Sequence, residues 1–200
     1  MSKILLLMLL VLTTLLGACS KDNNGDNGSN TDLEKGVIII TTKNSIEYLS
    51  INTPNIKDKI TIDWGDGNVE ELYNTKHEDN GDVYHEIQTT HTYSDNKMYK
   101  IQIGGKISVL DCNENQIVTL DISNCIELTE LYCGLNQLTS LNINACGSLI
   151  MLDCAGNELS APAMNKTYND LPKVSKGELV CDKIGDYTIA EGKGWKVYAN

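Results

Sequence analysis

The sequence contains no arginine and no phenylalanine, and only two tryptophans, three prolines and three histidines in 200 residues. Without arginine, the planar fork that grips phosphate at two points is unavailable. Lysine does not fill the gap, because 16 lysines face 27 acids and the formal net charge is −11. Nucleic-acid binding draws on a basic face that neutralises phosphates, so nucleic acid is excluded as a partner. The histidines, His77, His85 and His91, all precede residue 105, and no nucleophile, base and acid recur at a recognisable catalytic spacing. There are seven cysteines but no Cys-x-x-Cys pair, the spacing from which zinc sites are commonly built. The expectation is a protein that is not an enzyme and needs no cofactor or metal.

What is present begins with a leader. After Lys3 comes an unbroken apolar run, Ile4–Leu12, and then the small residues Gly17 and Ala18. This is too short and too early for a spanning helix and reads as a secretory signal over residues 1–18. Its ending, Leu16-Gly17-Ala18-Cys19, resembles the lipobox of bacterial lipoproteins. That resemblance implies cleavage before Cys19, which becomes the acylated N-terminus, leaving 15 lysines against 27 acids in the mature chain, a charge of −12. The alternative is a plain signal peptide with an incidental cysteine. Residues 19–35 form a tether rich in Asn, Asp, Gly and Ser, with too little apolar surface to offset the entropy of ordering. Asp22, Asn24 and Asp26 hint at a calcium loop, but the sixth position is Asn27 rather than glycine and the twelfth is Leu33 rather than glutamate. Serine and charged residues after the cysteine are similar to the sorting signal of outer-membrane lipoproteins.

Residues 36–104 alternate apolar and polar positions or carry short β-branched runs, with turn residues between them. "GVIIITT", "KITIDW" and "YKIQIGG" read as strands, the last with Tyr99, Ile101 and Ile103 on one face. The expected fold class is mainly β, beginning with an antiparallel sandwich. Trp64-Gly65-Asp66-Gly67 followed by His91-Thr92-Tyr93 resembles the PKD domain, an immunoglobulin-like β-sandwich, and implies that fold for residues 36–104. The insert between these motifs carries His77, Glu78, Asp79, Asp82, His85 and Glu86. It reads either as a polar hairpin tip or as a divalent-cation site.

The frame L-x-x-L-x-C-x-x-N-x-L then recurs every 21 residues, starting at Ile107, Leu128 and Leu149. Its cysteines are Cys112, Cys133 and Cys154, and its asparagines Asn115, Asn136 and Asn157. Such a period means that one repeat cannot cover its own apolar face and must stack on the next. The frame is similar to leucine-rich repeats, which implies a short solenoid over residues 105–160 with the cysteines inward and the asparagines as a ladder. Adjacent strands lie ~4.8 Å apart with parallel side chains, while a disulfide brings Cβ atoms to about 3.8 Å on converging vectors. Free buried thiols are therefore expected, with disulfides as the alternative in an oxidising compartment. After Leu159 the frame breaks. Pro162 suits a first helical position, "GELVCDK" reads as a strand, and residues 161–200 are expected to form a C-terminal capping repeat.

Both resembled families imply binding. The expected function is a membrane-anchored, cell-envelope lipoprotein acting as a non-catalytic binding or adhesion module for protein or glycan. The alternative is an accessory glycan-binding subunit of an enzyme or uptake system. Its lipid would hold it in the bacterial outer membrane, with an extracellular or envelope protein or glycan as partner. The repeat frame turns Asp111, Glu130, Tyr132, Met151, Asp153 and Val180 outward on neighbouring strands, and these are the candidate ligand-binding residues. Four such strands would give a face only about 15–20 Å wide. Replacement Cys19→Ala is predicted to move the protein from the membrane fraction to the soluble one. Unchanged fractionation would show that Cys19 is not the anchor.

Overall fold

The computed structural model describes residues 36–41, 45–79 and 81–199. Cys19, the signal and the tether lie outside the described residues. Among the described residues the fold is mainly β, with two sheets and two short helices. The first half supplies β1 (Val37–Thr41), β2 (Ser45–Asn52), β3 (Lys59–Asp63), β4 (Val69–Tyr73), β5 (Thr75–Asp79), β6 (Asp82–Thr92) and β7 (Tyr99–Gly104). The second half supplies β8 (Val109–Asp111), β9 (Ile117–Asp121), β10 (Glu130–Tyr132) and β11 (Met151–Asp153), then helix α1 (Ala161–Asp170), β12 (Gly177–Cys181), helix α2 (Thr188–Glu191) and β13 (Trp195–Ala199). No helix among the described residues is long and apolar enough to cross a membrane.

Period-two burial builds the first half. Val37, Ile39 and Thr41 are buried on β1, and Tyr99, Ile101 and Ile103 on β7. These strands pair antiparallel, Val37 opposite Ile103 and Ile39 opposite Ile101. The Trp64–Asn68 turn is held as its residue types require. Oδ1 of Asp63 accepts from the Gly65 amide at 2.9 Å, and Oδ1 of Asp66 accepts from the Asn68 amide at 3.0 Å. Gly65 sits at φ +80°, and a Cβ there would come within 2.4 Å of the Lys100 carbonyl oxygen, so only glycine fits. The later motif folds back onto this turn. The His91 ring stacks on Trp64 at 4.6 Å with its Nε2 2.8 Å from Oδ2 of Asp66, and the Tyr93 hydroxyl donates to the Trp64 carbonyl at 3.0 Å. Acids in this turn thus satisfy backbone amides and orient an imidazole.

The second half is a parallel ladder. β8, β10 and β11 each present a fully buried leucine between two half-buried neighbours. Leu110, Leu131, Leu152 and Leu179 align across the ladder, and β13 adds Val197 to the row. The first three of these leucines are 21 residues apart, so the sequence period is the register of the sheet. Asn136 ties one repeat to the one before it. Its Oδ1 accepts from the amides of Asn115 at 3.0 Å and Ile117 at 2.9 Å. Its amide group donates to the carbonyls of Cys112, Cys133 and Gly134. α1 starts where Pro162 and the capping Ser160 place it, and buries Met164, Thr167 and Tyr168. Trp195 is buried at the far end, its indole N–H donating to the Pro172 carbonyl at 2.8 Å.

At the junction between the halves only residues 105–108 separate the end of β7 from the start of β8. β7 belongs to the five-stranded sheet, ordered β4-β3-β7-β1-β9, while β8 belongs to the eight-stranded sheet, ordered β13-β12-β11-β10-β8-β2-β6-β5. The chain therefore changes sheets between Gly104 and Val109, through Gly105 at φ +122°. Two strand pairings make the join. β2 pairs antiparallel with β8, Ser50 opposite Asp111 and Ile51 opposite Leu110. β9 pairs antiparallel with β1, Ile39 opposite Leu120. A single apolar cluster runs without a break from Val37 to Trp195.

The asparagine bonds generate a comparison. Asn136 makes five side-chain hydrogen bonds and Asn157 makes three. An unsatisfied buried backbone group costs ~1–3 kcal/mol. Asn136→Ala is predicted to lower unfolding free energy in urea by ~3 kcal/mol or more, and Asn157→Ala by clearly less. Equal losses would show that the two additional hydrogen bonds of Asn136 carry no extra stability.

Candidate functional site

Side chains one position to either side of the buried leucines point out of the eight-stranded sheet and form two columns. The register gives one column as Asp111, Tyr132, Asp153, Val180 and Tyr198, and the other as Val109, Glu130, Met151, Glu178 and Lys196. All six candidate residues, Asp111, Glu130, Tyr132, Met151, Asp153 and Val180, are brought together here, each half-buried. The tyrosine hydroxyl of Tyr132 donates to Oε2 of Glu130 at 2.8 Å. This bond ties the two residues into one unit on β10. Burial first, and then Glu130, hold the Tyr132 phenol well above its ordinary pKa, so it remains a neutral donor.

Asp111 and Asp153 have a second duty. Oδ1 of each accepts from the amide two residues on, Asn113 at 3.1 Å and Ala155 at 3.1 Å, and so finishes its strand. Burial raises both carboxyls above the usual range. The amide bonds oppose the rise, while the charges of Asp153 and Glu86 add to it at Asp111, and that of Asp182 at Asp153. Beneath the face, Cys112, Cys133, Cys154 and Cys181 are free and buried, as are Cys125 and Cys146 of a second column. The Cys112 and Cys133 thiols donate to the carbonyls of Tyr132 and Asp153 in the next strand, at 3.4 and 3.3 Å. Burial pushes the Cys125 thiol up to about 12 and the Cys146 thiol up to about 11, which leaves both unreactive.

The face is wider than the four strands expected from the repeats. It continues through β13 on one side and through β2, β6 and β5 on the other. Eight strands at ~4.8 Å span about 34 Å. Ser50 lies opposite Asp111 and donates to Oε2 of Glu86 at 2.7 Å, so sandwich residues extend the same acidic surface. Lys196 at the far edge places its ammonium 4.6 Å from the Tyr198 ring. Both tryptophans are buried and contribute nothing to the face. Sequence reasoning missed Ser50 and the β2 residues Glu47 and Tyr48, and singled out Glu86 only as part of the insert, not of this face. The only signal was the weak alternation in "SIEYLSIN", which a register shift between Ile46 and Leu49 interrupts.

Next to that shift lies a cleft of about 260 Å³ lined by Glu47, Tyr48, Asp111, Asn113, Glu114 and Asn115. The insert forms the β5–β6 hairpin at the edge of the sheet, with His77 stacked on Tyr84 at 5.4 Å and its Nε2 2.7 Å from the Thr75 hydroxyl. Among the described residues, no three His, Cys, Asp or Glu side chains converge as a metal site would require. Comparison with known protein families, with curated proteins and with solved structures finds no match to this chain.

The raised carboxyl of Asp153 sets a pH dependence. A carboxyl with a folded-state pKa above its unfolded value of 3.8 favours the fold when protonated, and that contribution is lost as pH rises through the folded value. Asparagine keeps the oxygen that accepts from Ala155 and removes the charge. Asp153→Asn is therefore predicted to raise Tm at pH 7, with the gain shrinking towards zero as pH falls below 3.8. Thermal melts of both proteins between pH 3 and pH 7 check this, and a gain independent of pH would disprove the charge as its source.

Proposed function

We propose that the chain is a bacterial outer-membrane lipoprotein, anchored through Cys19, that acts as a non-catalytic binding or adhesion module for an envelope or extracellular protein or glycan. In this reading residues 36–104 are a PKD-like sandwich, residues 105–160 a short leucine-rich-repeat solenoid and residues 161–200 its capping repeat. The 21-residue register, the asparagine bonds between repeats and the Trp64–His91–Tyr93 cluster support these finer assignments.

The observation that carries the functional reading is the position of Tyr132. It sits on β10, three strands in from the β13 edge and four from the β5 edge, between Asp111 and Asp153 in its own column. Tyrosine offers a large rigid contact with a hydroxyl at low entropic cost, which is why it recurs at binding hot spots. Met151 on the next strand and Val180 two strands away add apolar area to the face, and the surrounding acids favour a polar or cationic partner over an anionic one. Screening the mature protein on glycan and envelope-protein arrays identifies the ligand. Tyr132→Ala is then predicted to weaken binding of that ligand by more than ~1 kcal/mol with folding intact. Full binding by the folded variant would move the site off this face.

A further inference from the structure

The repeat ladder ends on an unpaired strand. β13 is the last strand of the eight-stranded sheet and, among the described residues, pairs with β12 alone. One bond fixes where its free groups point. The Gly177 amide donates to the Gly194 carbonyl at 3.1 Å, and Gly177 lies opposite Trp195. In a parallel pair this turns the amides and carbonyls of Lys196 and Tyr198 towards β12, and those of Trp195, Val197 and Ala199 towards the free edge. The apolar row is open on the same side. Leu110, Leu131, Leu152 and Leu179 are fully buried, but Val197, the next in that row, is only half-buried, and so is Ala199. A solenoid end of this kind needs a cover.

The other edge of the sheet is guarded. β5 carries Lys76, His77, Glu78 and Asp79, charged and polar side chains on both faces that discourage a further strand. β13 has Lys196 as its one charged residue, and that ammonium leans along the strand onto the Tyr198 ring. What the β13 edge fits is a copy of itself. Two such strands, run antiparallel about a two-fold axis at Val197, set Val197 against the partner's Val197 and Trp195 against the partner's Ala199. These are the residues whose amides and carbonyls point outward, so in this register all of them find partners. Beneath the sheet a large residue meets a small one, and the leucine row runs on through Val197 into the partner. On the outer face Lys196 comes opposite the partner's Tyr198, at the closer spacing of a pair that exchanges no hydrogen bonds. Lys196 then stands between Glu178 of its own β12 and the partner's Tyr198 ring, a carboxylate on one side and an aromatic face on the other. No like charges face each other across the strand pair.

We propose that β13 is a dimerisation edge, which pairs antiparallel with β13 of a second copy of this chain and joins two eight-stranded sheets into one. The contact is a single strand pair, which places it among the small and transient interfaces. It goes beyond the binding role proposed for the Tyr132 face and stands without it. One consequence bears on that role. The register keeps the outer faces on one side and sets the two Tyr132 side chains seven strand spacings apart, about 34 Å. A ligand with repeated epitopes gains from both.

Analytical ultracentrifugation of the full chain in a non-ionic detergent tests this. A monomer–dimer equilibrium with a Kd of about 1–100 µM is expected, and nothing larger, because a two-fold contact closes on itself. Lys196→Glu sets an acid beside Glu178. Val197→Pro removes the outward amide on the axis and spares the bonds to β12. Each should weaken association by about tenfold or more, with folding checked by thermal melts, while Lys76→Glu on β5 should leave it unchanged. Disulfide trapping reads the register. Under oxidation by glutathione disulfide, a mixture of Lys196→Cys and Tyr198→Cys chains should form a linked dimer over the background of the unsubstituted chain, whose six described cysteines are buried. Neither variant alone should link to itself, because each cysteine would face a Tyr198 or a Lys196. A chain that stays monomeric to about 1 mM, association indifferent to both edge variants, self-linking by either cysteine variant as readily as by the mixture, or growth beyond the dimer would each overturn the proposal.

Discussion

The pairing of β2 with β8 is the constraint on which the rest of the molecule depends. A ladder of three-residue parallel strands leaves its first edge open, with unpaired amides and an uncovered apolar row beneath. Here a strand of the antiparallel half covers that edge, Ile51 opposite Leu110. One layer below, β1 takes β9 through Ile39 opposite Leu120. The first repeat is thus gripped on both layers by two strands of the same half. Separating the halves would break both sheets and split one apolar cluster, so the chain from Val37 to Trp195 behaves as a single core.

Within the ladder, two columns divide the work. The asparagines satisfy backbone groups that the tight turn after each strand would otherwise leave unpaired. The cysteines fill the row two residues after each leucine, where little space remains. A thiol is small, apolar enough to bury and able to donate weakly, as Cys112 and Cys133 do to the next strand. Their spacing follows the strands, which keeps neighbouring sulfurs on parallel rather than converging vectors. Burial that raises their pKa also removes the thiolate on which oxidation depends. The free cysteines are therefore protected by position.

The repeats were legible because their period is also their register, and a count along the chain places Leu110, Leu131 and Leu152 side by side without any coordinates. The turn motif was legible because glycine and aspartate act there through local backbone geometry. Helix α1 announced itself through Pro162. The junction was not legible. β2 reads "SIEYLSIN", in which a register shift breaks the alternation, and nothing local in β9 says that Leu120 will face Ile39. The six candidate residues share one sheet face, but its width was not legible, since only long-range pairing shows that β2, β6 and β5 continue it. Asn115 shows the limit most clearly. In the sequence it is the twin of Asn136, and only the fold reveals that one has a repeat in front of it and the other does not.

The outward acids follow from the same repetition. Each repeat ends its strand with a residue that must also tolerate its counterparts ~4.8 Å away on either side. Aspartate suits the strand end, because its carboxylate accepts the amide two residues on. Three aspartates in succession would place like charges on adjacent strands, where repulsion is strong. The column instead runs Asp111, Tyr132, Asp153, Val180, so the charges stand ~9.6 Å apart. Doubling the distance halves the Coulomb repulsion. The second column alternates in the same way, with Met151 between Glu130 and Glu178. Alternation keeps the ladder stable but leaves the Asp111 and Asp153 charges half-buried and without a facing cation in their columns. Those are the conditions under which a surface attracts a positively charged ligand more strongly than its size alone would suggest. The packing rule that lets the repeats stack and the chemistry that would let them bind are in this way the same arrangement of residues.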